Sequence, residues 1–220
     1  MRIFCDFDGT ISEVDTTDRI LSLFADPAWE AIEADWVAGR IAASDCMRAQ
    51  VGLIRAGEAE LDAALDAIGL SPGFTEFVAW AEDADLPLTI VSDGVDRFIH
   101  RILQRHGLRR LPVISNRLVG AIQARELDQP WRRRGCAAGS GVCKCAVIEA
   151  SASAEAGPVV FIGDGRSDFC ASGRADILFA KASLADYAAQ RGLAFHPFED
   201  FHDVTARLAP MVEARAAAVG

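Results

Sequence analysis

Apolar positions in this chain follow two different spacings. Short, dense apolar runs occur at RIFCDF (2–7), LPLTIVS (86–92), LPVIS (111–115), GPVVFIG (157–163), ADILFA (175–180) and LAFHPF (193–198). Runs of this kind, bounded by Gly, Pro, Ser or Asp, suit strands buried on both faces. Elsewhere the spacing is helical. Over residues 15–68 no strand-like run intervenes: Ile20, Leu21, Leu23 and Phe24 make one stripe, Trp29, Ile32 and Trp36 a second, and Leu61, Leu65 and Ile68 a third. Pro27, Gly39, Gly57 and Gly69 punctuate them, and SPG at 71–73 closes the block. Further helices are predicted over 74–84, 96–106, 143–152, 167–173, 184–191 and 204–218. The stretch 117–142 is irregular and suits a small hairpin or an ordered loop.

Strands that alternate with helices predict an α/β fold, a Rossmann-like parallel sheet with helices on both faces. The helical block is inserted after the first strand. This predicts a core of residues 1–14 and 72–220 and a separate helical unit of residues 15–71.

Composition narrows the function classes. At 220 residues, 51% hydrophobic and 25% charged, the chain can bury a substantial core. A formal net charge of -10, from 32 acidic against 22 basic residues, lacks the basic footprint of a nucleic-acid binder. No apolar run approaches the ~18 residues of a membrane span. The run at 3–5 is too short for a signal peptide, and the six cysteines do not form a secreted disulfide pattern. A reduced, cytoplasmic protein is expected. The pattern does not set an oligomeric state.

Open α/β sheets bind ligands beyond the carboxyl ends of their strands. There the first strand delivers Asp6 and Asp8, the second Ser92, Asp93 and Gly94, and the fourth Asp164 and Asp168, while Lys144 opens the preceding helix. Clustered carboxylates without histidine suit a hard cation such as Mg2+. Ser92, backbone N–H groups at a helix start and the Lys144 ammonium suit phosphate oxygens. The set reads as a phosphoryl site.

DFDGT, an isolated Ser at a strand end, a Lys, and then GDGRSD resemble, in that order, the four motifs of the haloacid dehalogenase (HAD) superfamily of aspartate-dependent phosphatases. The likeness spans the whole chain, and the helical block is similar to the cap of the phosphoserine-phosphatase-like branch. It implies that Asp6 is the nucleophile and Asp8 the general acid and base. It further implies that Mg2+ sits among Asp6, the backbone carbonyl of Asp8, and Asp164, with Asp168 an auxiliary or supporting ligand. Ser92 and Lys144 would hold the transferring phosphoryl group, and a small phosphorylated metabolite would be the substrate.

Two groups within the branch are most similar. FCDFDGTIS, the CK of a Cys-rich segment, ADILFAK and FEDFHDV resemble the methionine-salvage phosphatases that act on 2-hydroxy-3-keto-5-methylthiopentenyl-1-phosphate. SDGVDRFI and GDGRSDFC resemble phosphocholine/phosphoethanolamine phosphatases instead, and phosphoserine is a third candidate. A phosphoryl sensor or phosphotransferase would share the same site, although an intact Asp8 argues against a sensor. Ser92 also suits a helix N-cap, and Asp164 and Asp168 turn or cap positions. Asp15 is either a substrate-facing acid or a cap. Asp93, Gly94 and Arg97 follow Ser92 closely enough to meet the leaving group, although a solvated helix start also explains Arg97. Cys136, Cys143 and Cys145 lack a fourth metal ligand nearby in sequence and are expected to be reduced structural thiols. The 132–134 arginine run and Arg166 suit exposed surface, and the four histidines fall outside every motif.

Overall fold

A computed structural model describes residues 1–122, 124–151 and 157–219. Seven strands form one sheet in the order β4-β3-β2-β1-β5-β6-β7: β1 (Arg2–Cys5), β2 (Leu88–Val95), β3 (Val113–Ala121), β4 (Ala124–Asp128), β5 (Val159–Gly163), β6 (Ile177–Ala180) and β7 (His196–Pro197). All neighbours are parallel except β4, which runs antiparallel to β3 at the edge. The expected α/β fold is therefore present, and the irregular stretch contains the antiparallel β3–β4 pair. Residue 123 of that stretch and residue 152 of the helix expected over 143–152 lie outside the described residues.

The strand sequences explain the two-sided burial. Along β1, Ile3 and Cys5 join one apolar cluster while Phe4 joins the other. Along β5, Val160 and Ile162 face the first cluster, Val159 and Phe161 the second. Successive side chains of a strand point to opposite faces, so a strand covered on both must be apolar throughout. The helices that cover these faces are α5 (Phe74–Asp83), α6 (Asp96–Arg105), α7 (Lys144–Ala150), α8 (Phe169–Ser172), α9 (Ala182–Arg191) and α10 (Phe201–Val219). No helix among the described residues is long and apolar enough to cross a membrane.

Between β1 and α5 the chain forms α1 (Thr16–Phe24), α2 (Trp29–Val37), α3 (Ala43–Val51) and α4 (Glu58–Asp66). The entering and leaving segments are clipped together. Ser12 bridges Leu70, and the Ser71 N–H donates to the Ile11 carbonyl at 2.8 Å. Ile20, Leu21, Val51, Leu61 and Leu65 of this insert share the cluster that contains Ile3 and Ile90. The insert thus packs over the same sheet half that carries the strand ends of β1 and β2.

The chain fills the sheet from β1 outward to β4, then returns to add β5 on the opposite side of β1. That reversal places the crevice expected of a doubly wound sheet between the carboxyl ends of β1 and β5.

Candidate active site

Asp6 follows β1 directly and continues its register, its N–H donating to the Ile162 carbonyl of β5 at 2.9 Å. The chain then wraps tightly: the N–H groups of Thr10, Ile11 and Ser12 all donate to the Phe7 carbonyl, at 3.2, 2.8 and 2.9 Å. Gly9 makes this turn possible with φ +72°. A Cβ there would also stand 2.7 Å from Asp164 Oδ2. Gly9→Ala is expected to lose about 1–2 kcal/mol to the left-handed backbone alone, and to displace Asp164. Urea melts will check this, and an unchanged midpoint would contradict it.

Lys144 organises the acids. It is fully buried at the start of α7, and its Nζ lies 2.6 Å from Asp6 Oδ1 and 2.6 Å from Asp168 Oδ1. Asp168 Oδ2 accepts from the N–H groups of Asp164 and Gly165, both at 3.0 Å, so both of its oxygens are engaged. Asp6 Oδ1 also accepts from the Phe7 N–H at 2.7 Å. Asp164 Oδ1 accepts from the Thr10 hydroxyl at 2.6 Å. Among the described residues, Asp6 Oδ2 and Asp164 Oδ2 accept no hydrogen bond.

Burial and the charge of Asp168 push the Asp6 carboxyl well above the usual carboxylate range, against the pull of Lys144. Burial opposes the Lys144 charge as well, yet Asp168 and Asp6 outweigh it and hold the ammonium above its ordinary pKa. Carboxylate oxygens of Asp6, Asp164 and Asp168 lie within 4.8 Å of one another. An oxygen-only set with two free oxygens fits a hard divalent cation of the Mg2+ class.

Asp8 is held separately. Its Oδ1 accepts from both the N–H and the hydroxyl of Thr16, the first residue of α1, and Ser92 Oγ donates to Oδ2 at 3.2 Å. Burial raises the Asp8 carboxyl above its ordinary value, partly offset by those hydrogen bonds. A Cβ on Gly94 would collide with Asp8 Oδ2, so glycine there keeps the second strand end clear of this carboxyl. Ser92 is not a helix N-cap. Strand β2 runs on through a register shift to Val95, which precedes α6, and Ser92 Oγ instead accepts from the Gly94 N–H at 2.9 Å.

Asp93 turns its carboxyl toward the chain: Oδ1 accepts from the Val142 N–H at 2.9 Å and from Asn116 Nδ2 at 3.2 Å. It thereby anchors the residue two before Lys144. Asp15 caps α1, accepting from the Asp18 N–H at 2.9 Å, and also lines the cavity described below.

Arg97 is a correction. Its guanidinium does not line this cavity but pairs with Glu58 at 3.4 Å and with Asp62, both on α4. Arg101 beside it grips Asp66 with two bonds of 2.6 Å. These partners are partly exposed, and such pairs contribute at most about 1 kcal/mol. Arg97→Gln is accordingly expected to keep kcat within about threefold and lose no more than about 1 kcal/mol in urea melts; a loss of a hundredfold would restore it to the site.

Thr10, Thr16 and Asn116 were not singled out from the sequence. Thr10 closes the DFDGT motif and Thr16 follows Asp15, which is the signal that would have found them. Nothing in sequence points to Asn116. A cavity of about 550 Å3 opens above the acids, walled by residues from both the sheet and the insert, including Glu33, Trp36 and Met47. Arg166, expected as plain surface, lies over the Trp36 ring at 5.3 Å and so spans the mouth between the β5 loop and α2.

Residues 3–172 match the haloacid dehalogenase-like hydrolase family. A 2-hydroxy-3-keto-5-methylthiopentenyl-1-phosphate phosphatase from Geobacillus kaustophilus is 33% identical over 207 residues, 92% of each chain. A phosphatase of the same description from Brevibacillus brevis is 30% identical, again over 92% of each. Among solved structures, a phospho-aspartyl intermediate analogue of phosphoserine phosphatase superposes with a TM-score of 0.66 at 20% identity, covering 93% of this chain and 97% of that one. A HAD family hydrolase from Salmonella enterica serovar Typhi gives 0.72 at 20% identity, covering 92% of this chain and 68% of that one. The chain belongs to the haloacid dehalogenase-like hydrolases and is a phosphatase of that family.

Proposed function

We propose that this phosphatase hydrolyses 2-hydroxy-3-keto-5-methylthiopentenyl-1-phosphate, a small metabolite of methionine salvage, with Mg2+ and through an aspartyl-phosphate on Asp6. The observation that carries the mechanism is the state of Asp6: one oxygen is fixed by Lys144 and the Phe7 N–H, and the other is free. That free oxygen attacks phosphorus, and the bond to the leaving oxygen breaks as Asp8 gives it a proton. Water then attacks the phosphoryl group while Asp8 takes a proton from it, returning the Asp6 carboxylate and inorganic phosphate. Asp6, Asp164 and the Asp8 backbone carbonyl would hold Mg2+, which supplies the positive charge that lets an anion approach an anion. Asp168, with both oxygens engaged, aligns Lys144 and the Asp164 loop rather than reaching the ion itself. Ser92 and Lys144 face the transferring group.

The substrate assignment rests on the relatives at 30–33% identity, matched over nearly their full length. Residues 15–71 act in this reading as a cap on the core of 1–14 and 72–220. The cap closes the cavity, excludes water and offers Trp36 and Met47 as an apolar wall for a thioether tail.

One observation favours a second reading. Asp15, Asp18 and Glu33 line the same cavity, and such an acidic wall suits a cationic leaving group, as in phosphoethanolamine or phosphocholine. Phosphate release from a panel of these compounds, phosphoserine and the methylthiopentenyl enol-phosphate separates the two. The enol-phosphate is expected to turn over at least tenfold faster in kcat/KM than the rest, with all activity lost to chelator and to Asp6→Asn. Preferred hydrolysis of an amino-alcohol phosphate would replace the substrate, and no turnover of any ester by folded, Mg2+-supplied protein would defeat the reading. Because burial raises the Asp6 carboxyl, its ionisation works against the native state. Metal-free Asp6→Asn is therefore expected to melt at a higher temperature than metal-free wild type at pH 7.

A further inference from the structure

Several hydroxyls that the fold encloses have fixed partners. Thr10 donates to Asp164, Thr16 to Asp8, Ser12 to the Phe7 and Val14 carbonyls, and Ser172 to the Phe169 carbonyl. Among the described residues, three enclosed hydroxyls have no partner: those of Thr17, Ser44 and Ser140. Thr17 and Ser140, only 3% and 2% exposed, line the cavity above the acids, whereas Ser44 does not. An enclosed hydroxyl left unpaired is costly, and at a ligand cavity the missing partner is the ligand.

Both residues are held by the framework that positions the catalytic groups. Thr17 lies in the first turn of α1, on the insert, directly after Thr16, whose N–H and hydroxyl bind Asp8. Ser140 lies on the core, in the loop before α7. Two contacts fix that loop. The Val142 N–H donates to Asp93 Oδ1 at 2.9 Å, and a Cβ on Gly141 would stand 2.5 Å from both Asn116 Oδ1 and Gln129 Nε2. One hydroxyl thus comes from each unit, and each stands within two residues of a group bonded to Asp8 or Asp93.

We propose that Thr17 and Ser140 set specificity by hydrogen-bonding hydroxyl or keto oxygens on the leaving group of the phosphate ester. This rests on the reading in which Asp8 protonates that leaving group. A hydroxyl both donates and accepts, so each residue can take either function, whereas an ionised carboxylate only accepts. An ester without such oxygens leaves both hydroxyls enclosed and unpaired, which is the strongest ground on which a site rejects an analogue. The 2-hydroxy-3-keto frame of the assigned substrate carries both functions on the carbons that follow the phosphorylated one.

The test uses three-carbon esters that differ in their oxygens: dihydroxyacetone phosphate, glycerol 1-phosphate and propyl phosphate. Wild type is expected to favour the first two over propyl phosphate by at least about tenfold in kcat/KM. The readout is that ratio, which a general loss of structure or of chemistry does not move. Thr17→Val and Ser140→Ala should each lower it by about tenfold, through KM more than kcat, and the double variant should erase it. Thr17→Ser should keep it, and if Thr17→Val fails to fold, Thr17→Ala takes its place. Binding of the same esters to Asp6→Asn by calorimetry should give the same ratio without turnover, so failure of the assigned reaction is read separately. Wild type that treats propyl phosphate as well as the oxygenated esters would overturn the proposal. So would a ratio that stays within about twofold in both Thr17→Val and Ser140→Ala, since one lost hydrogen bond should exceed that change.

Discussion

Lys144→Met is expected to lower kcat/KM by about a thousandfold or more, the scale seen when a preorganised charge facing a reacting anion is removed. Two effects combine. The phosphoryl group loses its one buried ammonium, and Asp6 loses the cation that opposes burial and Asp168 in setting its protonation. A nucleophile held as the neutral acid cannot attack. Stability should change with pH in a diagnostic way. Without Lys144 the folded-state pKa of Asp6 rises further, and a carboxyl raised on folding costs nothing below its unfolded value near ~4. The cost then grows as pH climbs toward the folded-state value. Urea melts should therefore show a small loss at pH 5 that deepens toward pH 8, up to the ~3–5 kcal/mol typical of a broken buried pair. Lys144→Arg should not rescue activity, because a planar fork replaces a point charge in a fully enclosed slot. Activity within tenfold of wild type in Lys144→Met would remove Lys144 from the site.

Features set by local sequence were legible, and those set by distant pairing were not. The strand character of β1 and β5 follows from runs that must be apolar on both faces, and the turn after β1 from Gly9 and its neighbouring acids. Spacing alone also ordered the motif residues around one crevice. The end of β2 was misjudged because Ser-Asp-Gly reads as a stop, yet pairing with β3 carries the strand on to Val95. Arg97 was drawn to the site by its nearness to Ser92 in sequence. In the fold, α6 turns it to Glu58 and Asp62 on a helix that no local pattern connects to it. Asp168 shows what spacing cannot supply: its two oxygens tie Lys144 to the N–H groups of Asp164 and Gly165, contacts that no local pattern announces.

Asp8→Asn should separate the two halves of the proposed cycle. The first half needs a proton for the leaving oxygen, and the second needs a base for water, both from Asp8. With an alkyl phosphate, whose leaving alkoxide is strongly basic, both halves suffer, and kcat should fall by about 10²–10⁴. An aryl phosphate leaves as a stable phenolate without protonation, so the first half survives while the second stalls. Rapid mixing of Asp8→Asn with an aryl phosphate should then give a burst of one phenolate per active site, followed by a slow steady rate. Acid quenching within the burst should trap phosphate on the protein, lost in the Asp6→Asn/Asp8→Asn double variant. The wild type, with Asp8 held by Thr16 beside Ser92, should show no such accumulation if its second half is as fast as its first. An Asp8→Asn enzyme with no burst and an unchanged steady rate would deny Asp8 both roles. A full burst that persists without Asp6 would place the covalent phosphate on another residue.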